Sequence, residues 1–416
     1  MKYVIKTLII FFIFFSKASL SEGLYEKTLR EAALKNGFEK PENINQPFDD
    51  EKASLGKIFF EEKLLSFNTT NSCSSCHLNK FSSGDQLPNA VGSRGHGEGF
   101  KRMFSGGDIV PRNTLPLWGR GGKDFDVLFW DGKVMKKDGK VISQLGVLTK
   151  NYISSESKYK INVKDDALLT AVHLPFVEIR ELVSDDEKVE KYFKKENINS
   201  ALNIYNEVLS RVKTNPDYLD RLKTLYNVHE GDLEFHHIAD SIVHFIRRDF
   251  AIKPTKFSKF VFEKKSMSND ELRGGLIFYG KGKCATCHSG KYFSDFSFHA
   301  IAFPQIGFGK NGFGVDYGKY NSTLDPKDLY KFRTPPLYNV EKTFPYSHSG
   351  SVYNLDEAIV YHYDPLRFYS NKEYSDIDRV EYYKRLTLAD RSVNLIPYLD
   401  KIELKQLVSF LKTLSF

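Results

Sequence analysis

Along most of this chain the apolar residues recur with the period of a helix rather than a strand. Asp49-Asp50-Glu51 followed by Leu55, Ile58 and Phe59 predicts an acidic N-cap opening an amphipathic helix. Ser268 and Glu271 fit a capping box, after which Leu272, Leu276, Ile277 and Phe278 supply apolar positions. The two stretches share a flavour, Leu55-Gly56-Lys57-Ile58-Phe59-Phe60 against Gly275-Leu276-Ile277-Phe278-Tyr279, which suggests an internal repeat. From Asp185 to Phe250, Val189, Tyr192 and Phe193, then Leu202, Tyr205, Val208 and Leu209, then Ile238, Ile242, Val243 and Ile246 fall at helical spacing. Leu355 to Tyr363 and Lys401 to Leu414 read as further helices. Ser82 to Gly122 and Ser294 to Pro336 lack periodicity and predict long loops. Ile252 to Lys256, which holds Pro254, reads as a linker. Strand signals are scarce, so the expected class is mostly α.

The four cysteines of the 416 residues fall into two identical spacings, Cys73-Ser74-Ser75-Cys76-His77 and Cys284-Ala285-Thr286-Cys287-His288. Both are C-x-x-C-H, the pattern of covalent c-type haem attachment: each thiol bonds one vinyl-derived carbon and the adjacent histidine becomes the proximal iron ligand. A four-cysteine zinc site is the alternative, disfavoured by the long stretch between the pairs and the unused histidines. Two disulfides fit still less well, because the two intervening residues close a very tight ring. Each predicted helix before a motif then belongs to a small haem domain. The expected architecture is two cytochrome-c-like haem domains in tandem with long irregular loops, spanning 21–253 and 254–416.

Composition changes this picture little, but the first residues add a compartment. Hydrophobic residues at 41% and charged residues at 27% are those of a globular protein and exclude wholesale disorder. Lys2 and Lys6 precede the apolar run Thr7 to Phe15, and Ser16-Lys17-Ala18 offers small residues for cleavage, so residues 1–20 are expected to be a signal peptide and the protein to be periplasmic. An uncleaved anchor is the alternative. Losing Lys2, Lys6 and Lys17 lowers the formal charge from +7 to +4, and with no basic run there is no case for nucleic acid.

Four further stretches carry a resemblance: Pro111-Arg112-Asn113-Thr114, Phe129-Trp130-Asp131-Gly132, Pro175 through Glu181, and Thr343-Phe344-Pro345-Tyr346-Ser347-His348-Ser349-Gly350. With the two haem motifs, and in this order, they resemble the bacterial di-haem cytochrome c peroxidases and the closely related methylamine-utilisation enzymes that modify proteins. The resemblance covers nearly the whole chain after residue 20. It implies two covalently bound haem c groups, hydrogen peroxide as substrate and a small periplasmic electron-donor protein. A homodimer is also common in the family.

The resemblance also implies roles. Peroxide reacts at the N-terminal haem under a carboxylate six residues after a proline, and counting from Pro175 gives Glu181. Heterolysis of the O–O bond needs a proton moved between the two oxygens, which suits a carboxylate. Trp130 matches the tryptophan between the haems, and Asn113 with the carbonyls of Thr343 and Pro345 matches a calcium site, whose oxygen ligands suit a hard cation. His96, in Gly95-His96-Gly97, resembles a histidine that blocks the first iron, but the interval before Asn113 is longer than the family's, so ligation, guarding the entrance and an ordinary loop position stay open. Ala171 replaces the glutamine usual four residues before the proline; His173 lies nearby and could stand in for it or be structural.

The resemblance implies a sixth ligand on the C-terminal haem seven residues after the leucine that opens the helix following the Pro-Tyr-x-His segment, methionine in the peroxidases and tyrosine in the protein-modifying relatives. From Leu355 this is His362, and no methionine follows Met267. Tyr361 and Tyr363 flank the position, but one residue turns a helical side chain about 100° away. A bis-histidine haem is therefore expected, without the potential-raising effect of methionine. Three functions are carried forward: peroxide reduction, oxidative modification of a partner protein, and a non-catalytic di-haem carrier or sensor.

Overall fold

Asp49 caps the helix that leads to the first cysteine pair, its side chain accepting from the Lys52 amide at 2.9 Å in front of Asp50–Glu61. That helix crosses Phe235–Asp249 closely, because Gly56 has no side chain: a Cβ there would stand 1.9 Å from the Ser241 carbonyl oxygen. The second half repeats the device. Ser268 and Glu271 cap each other's backbone in front of Asn269–Tyr279, with the Ser268 amide donating to Glu271 Oε2 at 2.7 Å. This helix crosses Lys401–Lys412 at Gly274, where a Cβ would meet the Gln406 carbonyl oxygen at 1.9 Å. In each half, then, a helix runs into a C-x-x-C-H turn and meets a later helix at a glycine.

The structure is a computed structural model and describes residues 23–143, 166–184, 198–369, 375–390 and 396–416. The expected signal peptide over 1–20, and Val189, Tyr192 and Phe193 of the predicted helical region, lie outside the described residues. No helix among those described is long and apolar enough to cross a membrane.

Helices dominate, in line with the expected class. Ile198–Lys213, Pro216–Tyr226 and Phe235–Asp249 fill the region predicted helical from its periodicity. Leu355–Val360 is shorter than expected and continues as a turn that carries His362. The two predicted loops are irregular apart from one-turn helices and two-residue strands. Several elements go beyond expectation, among them the helix Asp376–Leu388 and a three-stranded antiparallel sheet of Val127–Leu128, Val134–Lys137 and Lys140–Ser143. Its second turn uses Asp138 at φ 52 and Gly139 at φ 74, the left-handed pair that matches the twist of paired strands.

Two hydrophobic cores form. One gathers Leu55, Phe59, Phe60, Ile242, Phe245 and Phe250. The other gathers Phe257, Phe278, Phe293, Leu407 and Phe410, and it also draws in Leu29, Ala33, Phe38 and Ile44 from the start of the described chain. Phe38 touches the rings of Phe257, Phe262 and Phe293, and the Gly290 amide donates to the Asn36 carbonyl at 2.8 Å. The helical residues 23–35 thus pack with the C-terminal half, so core packing does not follow the 253/254 boundary at this end. The reason is physical: the stripe Leu29, Ala33 and Phe38 needs an apolar partner, and the aromatic cluster around Phe257 provides one.

Candidate functional site

The two cysteine motifs fold alike. Cys73–Ser75 and Cys284–Thr286 each form one tight turn, closed by the histidine amide donating to the first cysteine's carbonyl, His77 to Cys73 at 3.0 Å and His288 to Cys284 at 2.8 Å. Each imidazole then donates through Nδ1 to a backbone carbonyl just downstream, His77 to Ser83 and His288 to Phe293, both at 3.0 Å. That bond fixes the tautomer and leaves Nε2 bare for a metal. Burial pushes both rings down to about 4, so they are neutral, as a ligand must be. All four cysteines are free of disulfides, and among the described residues no cluster of ligand atoms unites the two pairs as a zinc site would require.

The surroundings of the two histidines differ. His288 faces His362 across a cavity, with ring centres 6.4 Å apart. A histidine nitrogen stands about 2.0 Å from a metal it binds and about 1.2 Å from its ring centre, so imidazoles on opposite sides of one ion have centres about 6.4 Å apart. His362 donates its Nδ1 to the Ala358 carbonyl at 2.8 Å, again leaving Nε2 bare. Of its neighbours, Tyr361 packs on Phe303 and Phe368 away from the cavity, whereas Tyr363 packs on Tyr398 and lines the cavity beside His362. Leu337, Val340, Ala358, Ile359, Leu407 and Leu411 wall the cavity, with Cys284 and Cys287 at its edge. Apolar walls, two thiols and two opposed imidazoles fit a covalently attached haem.

Opposite His77 the described residues place no second imidazole. His96 is exposed, held by its backbone amide donating to Ser105 Oγ at 3.1 Å, and its ring makes no contact with His77. What the structure brings to the first motif is Glu181. Its carbonyl accepts from Asn71 Nδ2 at 2.8 Å and from Ser93 Oγ at 3.4 Å, tying it to the residues just before and after the motif. Its charge reaches both sulfurs: burial above all pushes the Cys73 and Cys76 thiols up to about 12, and Glu181 adds to both rises. The Glu181 carboxyl is itself held above the usual range by burial, with Lys133 opposing and Glu178 reinforcing the rise.

Lys133 is a residue that sequence reasoning missed, and Glu178, which together with Glu181 could also read as a solvated helix face, is its partner. They form a close ion pair, and Lys310 lies 3.5 Å from the other Glu178 oxygen. Burial pushes Glu178 up, but the two lysines pull it down to about 2, so it stays a carboxylate beside Glu181. Lys133 follows Trp130-Asp131-Gly132 directly, yet nothing in its spacing marks it.

Three of the four stretches behind the resemblance converge, those around Asn113, Trp130 and Pro345. Arg112 donates from Nε and Nη2 to the two oxygens of Asp316 at 2.8 and 2.9 Å, and from Nη1 to Asp131 at 2.6 Å, all three residues buried. Trp130 Nε1 donates to the Asn113 carbonyl at 3.0 Å, and Trp130 lines the His288–His362 cavity. The Asn113 amide donates to the Pro345 carbonyl at 2.5 Å, and its backbone amide to the His348 carbonyl at 2.8 Å. Thr343 and Pro345 also line this cavity. Ala171 is buried in the C-terminal core, and His173 is fully buried between Tyr205 and Phe235 with Nδ1 donating to the Leu169 carbonyl at 2.7 Å.

The sequence profile described as di-haem cytochrome c peroxidase matches residues 50–266. Among characterised proteins, the methylamine utilization protein MauG of Methylorubrum extorquens is 25% identical over 80% of this chain and 75% of that protein. Cytochrome c551 peroxidase of Nitrosomonas europaea is 24% identical over 75% of this chain and 73% of its own. The diheme peroxidase BthA from Burkholderia thailandensis shares the fold, with a TM-score of 0.64 at 18% identity, covering 91% of this chain and 89% of that one. A MauG-like protein associated with microbial copper homeostasis does so with a TM-score of 0.60 at 22% identity, covering 91% and 92%.

Proposed function

The chain belongs to the di-haem cytochrome c peroxidase family, and from that membership we propose that it reduces hydrogen peroxide to water in the periplasm with electrons from a small c-type cytochrome or similar donor. The family makes it an oxidoreductase with two c-type haems, which sets aside a purely non-catalytic carrier or sensor. The observation that carries the finer reading is the asymmetry between the motifs. One histidine faces a second imidazole, and the other motif has a carboxylate whose affinity for protons is raised.

Cys284, Cys287, His288 and His362 would hold one haem on both faces, and Cys73, Cys76 and His77 would hold the other on one face. The bound irons supply the electron storage and the peroxide-binding centre. Each peroxide takes up two electrons and two protons and yields two waters. Glu181 is the group placed to shift a proton between the peroxide oxygens as their bond breaks, because burial raises the proton affinity of its carboxyl above the usual range. Lys133 limits that rise. Trp130, oriented by its bond to Asn113, stands at the wall of the electron-entry cavity and offers an aromatic step towards the first motif. His96, exposed on its loop, is assigned to the entrance and not to the iron. We place a calcium ion at Asn113 and the carbonyls of Thr343 and Pro345; the 2.5 Å approach of the Asn113 amide to Pro345 gathers two of these groups, and turning the amide over would present its oxygen to a cation.

The test is steady-state oxidation of a reduced c-type cytochrome by hydrogen peroxide. Glu181→Gln should lose about 10²- to 10⁴-fold in kcat while retaining both haems. Full activity in that variant would remove Glu181 from the mechanism. Modification of a partner protein is the second reading, kept by the similarity to the methylamine utilization protein MauG; a covalent mass change in a co-incubated partner that depends on peroxide would support it over the first.

A further inference from the structure

Arg333, which lines the His288–His362 cavity, and Arg120, which shares the Phe125 ring with it, are buried without an acidic partner among the described residues. Arg333 is 1% exposed; its Nε donates to the Phe129 carbonyl at 3.0 Å, while Nη1 and Nη2 have no partner. Arg120 is buried too, with Nε donating to the Pro116 carbonyl at 2.6 Å. Both guanidinium groups lie over the same ring, Phe125, Arg120 at 5.7 Å and Arg333 at 5.6 Å. No carboxylate among the described residues forms an ion pair with either. Burial, and after it the charge of Arg120, hold Arg333 well below the ordinary arginine value.

Arg112 shows what this chain does with a buried guanidinium that it pairs internally: Asp131 and Asp316 take three of its donors. An unpaired buried charge carries a penalty of several kcal/mol, and a second cation beside it adds to that. The position is not an accident of a loose side chain. The Arg333 amide donates to the Trp130 carbonyl at 2.9 Å, and Phe332–Arg333 pairs with Phe298–His299. Arg333 lines the same cavity as Cys284, Cys287, His288 and His362. The site therefore calls for a carboxylate from outside the polypeptide, and a haem carries two.

We propose that Arg333, with Arg120 beside it, receives a propionate carboxylate of the haem attached at Cys284 and Cys287. The planar fork of Arg333 has both Nη groups free for a bidentate bond to one carboxylate. An ionised carboxylate near an iron favours the ferric state, and a guanidinium paired to it offsets that preference. Arg333 is thus a positioning residue that raises the potential of a haem whose two imidazoles, in place of a methionine, lower it. The inference rests on the reading that a haem is attached at the second motif.

The experiment uses the holoprotein. A pyridine haemochrome assay first counts haems per chain; fewer than two in the unaltered protein would mean that the haem reading itself is wrong. Spectroelectrochemical titration of Arg333→Met should then show the midpoint of the low-spin haem lowered by a tenfold shift in its redox equilibrium, about 59 mV for a one-electron couple. The thermal midpoint should fall with it, and Arg333→Lys should restore most of both. If Arg333→Met does not accumulate, Arg333→Gln is read in the same way. An unchanged potential with a raised thermal midpoint would overturn the proposal, since removing an unpaired buried charge stabilises. So would a wild-type potential that moves with added phosphate or chloride while the Met variant's does not, which would assign the site to a soluble anion.

Discussion

Glu181 depends on its immediate neighbours more than on its place in the chain. Burial raises its carboxyl, Lys133 opposes the rise and Glu178 assists it. If the ionised carboxylate is the form that takes the proton, activity falls as pH drops through the Glu181 value. Removing Lys133 takes away the opposing charge, so in Lys133→Met the acid limb of kcat/KM against pH should move to higher pH; a limb that stays in place would show that Lys133 does not tune Glu181. On the other side of the molecule His362 meets His288 at the separation that a shared iron requires. His362→Ala should therefore abolish the low-spin bis-histidine signal in the electron paramagnetic resonance spectrum, and its persistence would disprove ligation by His362. The cysteine motifs stand out by their spacing alone, whereas Glu181 and His362 were pointed to by counts that the family resemblance supplies. Lys133, Arg120 and Arg333 were not legible, since a charge is notable only once its burial and the absence of a partner are known.

Elements bring these residues together through a few close approaches. At Gly56 an alanine would gain about 1 kcal/mol in helix propensity, but its Cβ would stand 1.9 Å from the Ser241 carbonyl oxygen. Overpacking of this kind costs about 1–3 kcal/mol and occasionally more, so the clash outweighs the gain. Gly56→Ala should lower the midpoint of denaturant unfolding, and a stabilised variant would mean that the two helices can move apart freely. Arg112 ties the Pro111-Arg112-Asn113-Thr114 stretch to Asp131 and to the distant Asp316. Arg112→Met leaves two carboxylates buried and should destabilise by about 3–5 kcal/mol, measured by the same unfolding. Asp131 and Asp316 are held below the usual carboxylate range: burial alone would raise them, and Arg112, helped by Lys133 at Asp131 and by His348 and the Gly318 amide at Asp316, more than offsets it. Their stabilisation is therefore present above the unfolded value of about 3.9 and is lost as pH falls below it. Apolar spacing announced the helices themselves. The partners of Arg112 were hidden because sequence patterns carry no information on pairs so far apart, and residues 23–35 were missed because their stripe is meaningful only against the aromatic cluster that covers it.

For the whole molecule the question is how two differently built centres exchange electrons. The cavity of His288 and His362 is walled by Trp130, Asn113 and Thr114. Thr114 Oγ1 donates to Asp85 Oδ2 at 2.8 Å, and Asp85 is close enough to Cys76 that its charge helps to raise that thiol. Hydrogen bonds thus lead from the second site as far as Asp85, whose charge is felt at the first motif, and Trp130 is the indole on the cavity wall where they begin. The indole is fixed by its bond to the Asn113 carbonyl, so its ring is held in one orientation rather than sampled. If this is the passage, Trp130→Leu should leave the spectra and potentials of both haems nearly unchanged and slow the transfer between them. Stopped-flow mixing of the fully reduced protein with peroxide resolves that step from donor binding, and Trp130→Phe, which keeps a ring, should lie between the two. Equal rates in all three proteins would move the passage elsewhere, to Trp118, whose Nε1 donates to Ser82 Oγ at 2.9 Å beside the carbonyl that orients His77.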